Sequence, residues 1–342
     1  MMQGKARIIV VLMLLGIIAT GGAEEVFSLK LSSFTPPNHP MNTLVFEPWM
    51  KTIDEQTGGQ VKITLYSGSV LGKPQDQYDL VAGGVCDLSW GILGYTPGRF
   101  PRTSVMDLPF MSPSAEAGSR IVQRLYDGGY LGEEYAEVKL LALGLPTGID
   151  LHTRDKEVKT LEDIRGLRIR VFSPVMGKLV KVWGVVPVAM PASEVYLAMS
   201  RGVLDAVMMD VLTLTATKLD EVTRYHTRIN ISSSPFFFAM NRRTWEKLPA
   251  DIQAVFSENS GEYFSADLNG TMIDNLNLKT WQLLESRGHK VTDLKPEELE
   301  RWQQSSLFAL EQWQKDMDGA GLNGSAILAE ARRLKAAFAP TR

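Results

Sequence analysis

Stretches with the pattern of β-strands alternate with stretches that have the pattern of α-helices along most of this chain. In its middle part, 167–172 and 186–189 have the pattern of strands, and 175–183 between them has the pattern of a helix. A strand–helix–strand order is typical of domains in which helices pack on the faces of a sheet. The pattern therefore predicts α/β layers.

The remaining elements follow from the same reasoning. Further strands are predicted at 26–34, 61–66, 87–90, 138–143, 206–209 and 236–240. Further helices are predicted at 41–56, 74–82, from Ser114 onward, and at 193–200, 296–317 and 325–338.

The length of the chain bears on how these elements are grouped. With 342 residues, the chain is too long for one small core and suits two lobes of ordinary domain size. Apolar residues keep approximate helical spacing from 249 to about 287, and one helix of that length would extend about 55 Å, enough to run along both lobes. The formal net charge of −3 offers no basic surface, which argues against nucleic acid as a partner.

The N-terminus has the features of a cleavable signal peptide. Lys5 and Arg7 precede an apolar run at 8–19 that is short for a membrane span, and Gly21 and Ala23 supply small residues for a peptidase. We predict cleavage after Ala23 and export to the periplasm. A short N-terminal anchor is the alternative interpretation.

Cys86 is the single cysteine, so the chain cannot form an internal disulfide. It enters an apolar run after two glycines, which favours a small buried hydrophobic residue over a reactive thiol.

Catalytic and metal-binding signatures are largely missing from the sequence. Gly177-Lys178 lacks the other residues of a phosphate-binding loop, and Ser69 lacks the second glycine of a nucleophile elbow. The four histidines, at 39, 152, 226 and 289, are scattered and show no metal-ligand spacing. We therefore predict no cofactor, no metal and no enzymatic activity, with an enzyme that lacks these signatures as the alternative.

Two local patterns are candidates for a binding site. On a strand, Arg168 and Arg170 share one face while apolar residues share the other. An arginine inside a cleft suits a carboxylate because its planar fork donates two parallel hydrogen bonds, although the pattern alone favours a solvated edge-strand face. In the run Phe236, Phe237 and Phe238, the three rings cannot all face one core, so one of them is a candidate for the wall of a cavity. A strand buried on both faces explains the run as well.

Taken together, several spaced strings resemble the extracytoplasmic solute receptors of TRAP transporters, the DctP-type family. The strings are Leu71-Gly72, Gly84-Val85-Cys86-Asp87, Leu108-Pro109-Phe110, Leu161-Glu162-Asp163-Ile164-Arg165-Gly166-Leu167-Arg168-Ile169-Arg170-Val171, Met190-Pro191-Ala192-Ser193-Glu194-Val195-Tyr196, Arg201-Gly202-Val203-Leu204-Asp205, Met240-Asn241 and Leu248-Pro249. Their order and spacing are specific as a set, and they cover nearly the whole mature chain.

The resemblance implies a two-lobed periplasmic-binding-protein-like α/β fold with a ligand cleft between the lobes and a long helix that spans both. It places lobe I at 24–147 with 236–290, lobe II at 148–235, and C-terminal helices at 291–342 that pack on the lobes. It also implies a monomer that captures a small organic acid and delivers it to a membrane permease driven by an ion gradient. A receptor of an ATP-driven importer and a secreted hydrolase or lyase are the alternatives.

Site residues follow from the same resemblance. Arg170 matches the arginine that clasps the ligand carboxylate in most members, and Arg168 would sit further from the ligand. The other predicted ligand-binding positions are Phe34, Trp90, Leu93, Ala192, Met209, Asp210 and Phe237.

Two departures from the sialic-acid receptors of this family narrow the ligand. Where those receptors have a second cleft arginine, this chain reads Thr147-Gly148-Ile149-Asp150, and Asp210 stands where they have proline. A bulky sugar acid is therefore not expected. The interpretation favours a smaller keto, hydroxy or amino acid that carries an apolar or aromatic tail.

Overall fold

The computed structural model describes residues 26–171, 174–231 and 233–338. The predicted signal peptide and its cleavage after Ala23 lie outside these residues. Within them, no helix is both long enough and apolar enough to cross a membrane.

Among the described residues, eleven strands and eleven α-helices alternate along the chain. The strands are β1 (Phe27–Ser32), β2 (Val61–Tyr66), β3 (Leu88–Ile92), β4 (Val138–Gly144), β5 (Asp150–Thr153), β6 (Arg168–Val171), β7 (Val186–Ala189), β8 (Ala206–Met209), β9 (Tyr225–Arg228), β10 (Phe236–Asn241) and β11 (Lys290–Asp293). The helices are α1 (Glu47–Gln56), α2 (Gln77–Ala82), α3 (Ala115–Asp127), α4 (Pro174–Val182), α5 (Ala192–Ser200), α6 (Val211–Ala216), α7 (Arg242–Lys247), α8 (Ala250–Glu258), α9 (Thr271–Ser286), α10 (Pro296–Gly319) and α11 (Gly324–Ala337).

The strands form two separate sheets, which define lobe I and lobe II. The lobe I sheet has the order β2-β1-β3-β10-β4, with β10 antiparallel to both of its neighbours. The lobe II sheet has the order β11-β9-β5-β8-β6-β7, with β6 parallel to β7 and β8 and β5 antiparallel to β8 and β9. The predicted two-lobed α/β architecture is confirmed. The lobe limits given above stay a prediction.

The strands β3, β4, β8 and β10 are buried on both faces, which explains why they read as nearly continuous apolar runs. In β10, Phe236 and Phe238 pack with Trp49 and Phe256 on one face, while Phe237 belongs to a separate core on the other. Lobe II also has a core on each face of its sheet. Ile169 and Val171 of β6 lie in one of these cores, and Val207 and Met209 of β8 lie in the other.

The chain crosses between the lobes in two neighbouring segments. The first hinge segment, 145–149, joins β4 to β5, and the second hinge segment, 229–235, joins β9 to β10. The backbone N–H of Ile231 donates to the carbonyl of Ile149 at 3.0 Å, so the two segments run side by side.

The prediction of one uninterrupted helix from 249 to 287 is wrong, because the segment contains a break. Helix α8 ends at Glu258, and Gly261 has a φ of +59°, a left-handed conformation that interrupts the helix. A second helix runs without a break through the π-helical turns at Tyr263–Gly270 into α9. It still spans both lobes, because Phe264 lies in a lobe I core and Trp281 in a lobe II core.

Helix α10 also joins the lobes. Trp302 lies in a lobe II core and donates its indole N–H to Glu298 at 3.1 Å, while Trp313 lies in a lobe I core and donates to Ser104 at 2.8 Å. Several short elements were not predicted from the sequence, among them β5, β9, β11, α6 and α7. Each has four to six residues, too few for a hydrophobic period to show.

Candidate functional site

A cavity of about 410 Å³ lies between the two lobes. Lobe I, both hinge segments, lobe II and the long helix all contribute to its lining. The lining residues used below are Phe34, Thr35, His39, Trp90, Ile92, Tyr95, Thr147, Ile149, Arg170, Ala192, Ser193, Met209, Asp210, Thr213, Ser233, Ser234, Phe236 and Ile273. Among the described residues, Arg170 is the one lysine or arginine in this lining.

Arg170 is placed in the cavity wall by the alternation of its strand. Ile169 and Val171 face a lobe II core, so Arg170 projects from the other face of β6. Its side chain is 2% exposed, its Nε donates to the carbonyl of Met190 at 2.9 Å, and its Nη1 donates to the carbonyl of Met208 at 3.1 Å. The third nitrogen, Nη2, is buried and has no hydrogen-bond partner in the described part of the chain. Two neutral carbonyls thus hold the guanidinium in place, and one of its N–H donors is left for a ligand.

Arg168 differs from Arg170 although it lies two residues away on the same strand. It makes a bidentate ion pair with Asp205, with Nη2–Oδ1 at 2.6 Å and Nε–Oδ2 at 2.9 Å. This guanidinium already has a carboxylate partner and is not part of the cavity lining. The structure therefore separates the two arginines, with Arg170 in the cavity lining and Arg168 outside it.

Asp210 lies in the cavity lining and caps α6. Its Oδ1 accepts the backbone N–H of Thr213 at 2.8 Å. Burial raises the pKa of Asp210, and the nearby charge of Arg170 acts in the opposite direction. One carboxylate oxygen is thus committed to the helix, which restricts what Asp210 can offer to a ligand.

Aromatic rings form the lobe I side of the cavity. Phe34 stacks on Trp90 with ring centroids 4.6 Å apart, and Tyr95 meets Phe34 edge-on at 6.0 Å. Phe236 meets Trp90 edge-on at 6.2 Å. The indole N–H of Trp90 donates to the hydroxyl of Ser33 at 2.9 Å, so the polar atom of this wall is satisfied within lobe I. What remains toward the cavity is apolar ring surface.

Two predicted site residues do not line the cavity. Phe237 points to the opposite face of β10, where its ring centroid lies 5.3 Å from that of Tyr78. The ring that lines the cavity is that of Phe236. Leu93 follows β3 in a turn that carries its side chain into the same core as Tyr78. Neither side chain is therefore part of this site. Phe34, Trp90, Ala192, Met209, Asp210 and Arg170 are brought together around the cavity.

Sequence reasoning missed several polar residues of the lining, among them Thr147, Ser233 and His39. Thr147 and Ser233 lie on the first and second hinge segments, and both are buried. His39 lies in the proline-rich loop of lobe I, and its Nδ1 accepts the backbone N–H of Met41 at 3.1 Å. Burial lowers the pKa of His39 to about 4, so at neutral pH its proton sits on Nε2. Positions on loops carry no periodic signal that would have singled them out.

Three of the four histidines are not scattered in space, contrary to the sequence analysis. Nδ1 of His152 lies 2.8 Å from Nδ1 of His226, and Nε2 of His226 lies 2.9 Å from Nδ1 of His289. Their nitrogens face one another instead of a common centre. In agreement with this, no group of three or more metal-ligating side chains in the described ranges has the arrangement of a metal site.

The histidine chain backs the lobe II wall. Nε2 of His152 contacts the carbonyl of Met209 at 3.0 Å, and Met209 lines the cavity. Burial lowers the pKa of His152 to about 4 and that of His226 to about 2, so the chain is neutral at pH 7.

Cys86 is a buried core residue, as predicted. Burial raises the pKa of its thiol to about 12, and the residue is not part of the cavity lining.

Solved structures share this two-lobed arrangement. A TRAP solute-binding protein from Rhodoferax ferrireducens T118, in complex with copurified benzoate, is 29% identical, with a TM-score of 0.88 over 91% of this chain and 98% of the other. A marine metagenome TRAP solute-binding protein specific for aromatic acid ligands, in complex with 3-hydroxybenzoate, is also 29% identical, with a TM-score of 0.88 over 92% and 99%. A TRAP protein from Bordetella bronchiseptica with bound mandelate is 27% identical, with a TM-score of 0.83 over 91% and 99%.

The family assignment rests on most of the sequence. Residues 31–316 match the family described as bacterial extracellular solute-binding protein, family 7, also called DctP. Its members and the similar structures are receptors and not enzymes, in agreement with the prediction. The chain belongs to the DctP family of TRAP-type solute-binding proteins.

Proposed function

We propose that this protein captures an aromatic monocarboxylate through Arg170 and delivers it to the membrane permease of an ion-gradient-driven TRAP transporter. The observation that carries the proposal is the spare Nη2 donor of a buried arginine beside a wall of stacked rings. A buried guanidinium with no carboxylate partner is costly, and an anionic ligand removes that cost.

The charge of the ligand follows from the cation count of the cavity. Arg170 is the one arginine or lysine in the lining among the described residues. The stretch 147–150, around which sialic-acid receptors have a second arginine, supplies no cation here, and its Asp150 accepts the backbone N–H groups of Ile229 at 2.7 Å and Asn230 at 2.8 Å. One free cation suits one carboxylate, and a second anionic group on the ligand would remain unpaired.

The shape of the ligand follows from the lobe I wall. Phe34, Trp90 and Phe236 present ring surface on which a flat apolar ring can stack or pack edge-on. The similar proteins whose structures contain benzoate, 3-hydroxybenzoate and mandelate support an aromatic acid. This refines the smaller acid with an apolar or aromatic tail that the sequence suggested.

Binding couples to closure of the lobes because the two ligand-binding walls belong to different lobes. Arg170 projects from lobe II and the stacked rings from lobe I. A ligand that contacts both walls favours the arrangement in which they are close together. The permease would then recognise surfaces of the closed form. Export by the signal peptide, with cleavage after Ala23, would bring the receptor to the periplasm.

A thermal-shift screen tests this function. The mature protein is heated with aromatic monocarboxylates, short aliphatic acids, sugar acids and neutral aromatic amides. A ligand at one hundred times its dissociation constant adds about 2.7 kcal/mol to the free energy of unfolding. We expect benzoate or a relative to raise the midpoint while benzamide does not. Stabilisation by sugar acids or neutral compounds alone would refute the proposal.

A further inference from the structure

Three unpaired polar atoms surround the cavity. Side-chain nitrogen and oxygen atoms that are buried and lack a partner in the described part of the chain include Arg170 Nη2, Thr147 Oγ1 and Ser233 Oγ. All three residues line the cavity, and Thr147 and Ser233 are 1% and 2% exposed. Buried hydroxyls in proteins normally have partners, so two unpaired ones at a ligand cavity indicate groups that the ligand completes.

The register of the hinge places the two hydroxyl residues opposite each other. β4 and β10 pair antiparallel, with Gly144 opposite Phe236. Beyond the strands, Ile231 N–H donates to Ile149 O at 3.0 Å, which continues the same register. Thr147 therefore lies opposite Ser233, one on each hinge segment. Because both residues also line the cavity, both hydroxyls are next to the space that a ligand would occupy.

Other hydroxyls beside the cavity are already satisfied. The hydroxyl of Ser234 accepts the N–H of Gly94 at 2.9 Å. That of Thr35 lies 3.1 Å from the hydroxyl of Ser33. Among the buried hydroxyls that line the cavity in the described part of the chain, only those of the hinge pair lack a partner.

The hinge pair lies away from the guanidinium of Arg170. The first hinge segment leads into β5, and β8 separates β5 from the β6 strand of Arg170. Arg170 pairs with Val207 and Val207 pairs with His152, so Thr147 is also five residues along the chain from the β5 residue that is level with Arg170. The hinge pair is therefore separated from Arg170 across the sheet, by about 10 Å, and also along it. A carboxylate alone does not reach across such a separation, whereas an acid with a polar group at the far end of its ring extends further.

We propose that Thr147 and Ser233 form a hydroxyl-binding subsite, and that the ligand is an aromatic monocarboxylate with a hydroxyl on the ring, remote from its carboxylate. This inference rests on the proposed function. Each hinge hydroxyl can donate or accept, so a phenolic O–H can donate to one and accept from the other. The subsite places part of the recognition on the two segments about which the lobes move.

Titration calorimetry on matched pairs of acids tests the subsite. The pairs are benzoate with 3-hydroxybenzoate and with 4-hydroxybenzoate, and phenylacetate with 4-hydroxyphenylacetate. The quantity measured is the hydroxyl preference, the dissociation constant of the parent acid divided by that of the hydroxylated acid. We expect a preference of about tenfold or more for at least one pair in the wild type, since an unmade hydrogen bond leaves buried hydroxyls unpaired.

Variants then assign the preference to residues. Thr147→Val and Ser233→Ala should each reduce it to about threefold or less, and the double variant should abolish it. Thr223→Val is the matched control, because Thr223 is also buried in the structure but its hydroxyl donates to Leu219 O at 2.8 Å, outside the cavity lining. This variant should keep the wild-type preference.

The outcomes separate this inference from the proposed function. If parent acids bind and the ring hydroxyl brings no gain in the wild type, the subsite is refuted while the proposed function stands. A preference that survives in the double variant also refutes the subsite. If no aromatic acid of either kind binds, both proposals fail together.

Discussion

The two walls of the cleft satisfy their polar groups in opposite ways. On lobe I, the N–H of Trp90 is bonded to Ser33, whose hydroxyl donates to Asn42 at 2.7 Å. On lobe II, Arg170 keeps one donor without a partner in the described part of the chain. Under the proposed function, lobe I would select the shape of a ligand and lobe II its charge. The difference between the walls predicts that the first wall contributes to folding, whereas the second contributes mainly to binding.

The largest expected effect is on the lobe I wall. Trp90 is 4% exposed and packs against Phe34, Phe46 and Phe236. Trp90→Ala should lower the free energy of unfolding without ligand by about 3–5 kcal/mol, because it leaves a large cavity. Trp90→Phe should cost less, since a ring remains. Urea unfolding measures both free energies. A loss below about 1 kcal/mol for Trp90→Ala would contradict the claim that the lobe I wall contributes to folding.

The histidine chain behind the lobe II wall adds a pH dependence. His226 has a folded-state pKa of about 2, lowered by burial and by its histidine neighbours, against an ordinary value of 6.5. The unfolded chain takes up a proton below pH 6.5 and the folded chain does not. The stability linked to His226 is therefore fully present above pH 6.5 and is lost as the pH falls toward the folded-state value, by about 2 kcal/mol at pH 5.

Unfolding of wild type and His226→Gln at pH 7 and pH 5 measures this difference. Buried carboxyls such as Asp150, whose pKa burial raises to about 7, act in the opposite direction but are common to both proteins. The variant should lose about 2 kcal/mol less than wild type between the two pH values. An equal loss in both proteins would show that His226 binds protons equally in the folded and unfolded states, which would contradict this prediction.

Arg170 should contribute little to folding without ligand. Arg170→Gln removes a buried charge that has no acidic partner on the protein bonded to it. We expect the free energy of unfolding without ligand to stay within about 1 kcal/mol of wild type or to rise. A loss above 3 kcal/mol in urea unfolding would mean that this arginine holds the lobe together.

The smallest effect is expected at Arg168. Its ion pair with Asp205 joins side chains that are 43% and 29% exposed. Arg168→Gln should change the free energy of unfolding by about 0–1 kcal/mol and leave ligand affinity unchanged. A large loss of affinity would show that the two arginines act together.

Local patterns in the sequence predicted most of the fold, but pairings between distant segments were beyond them. Alternation placed Arg168 and Arg170 on one face of a strand, and only the family resemblance singled out Arg170. The partner that occupies Arg168 lies 37 residues away, and the register that sets Thr147 opposite Ser233 depends on how two crossing segments pair. Which residues of β10 face the cavity determines whether Phe236 or Phe237 lines it, and no local sequence pattern indicates which face that is.

Binding of an acid and its isosteric amide measures the charge selection of lobe II most directly. Titration calorimetry would compare benzoate with benzamide, or the best acid with its amide, in wild type, Arg170→Gln and Arg168→Gln. Wild type and Arg168→Gln should prefer the acid by about 2–5 kcal/mol, and Arg170→Gln should show little preference. An Arg170→Gln protein that still binds the acid at wild-type affinity would contradict the account.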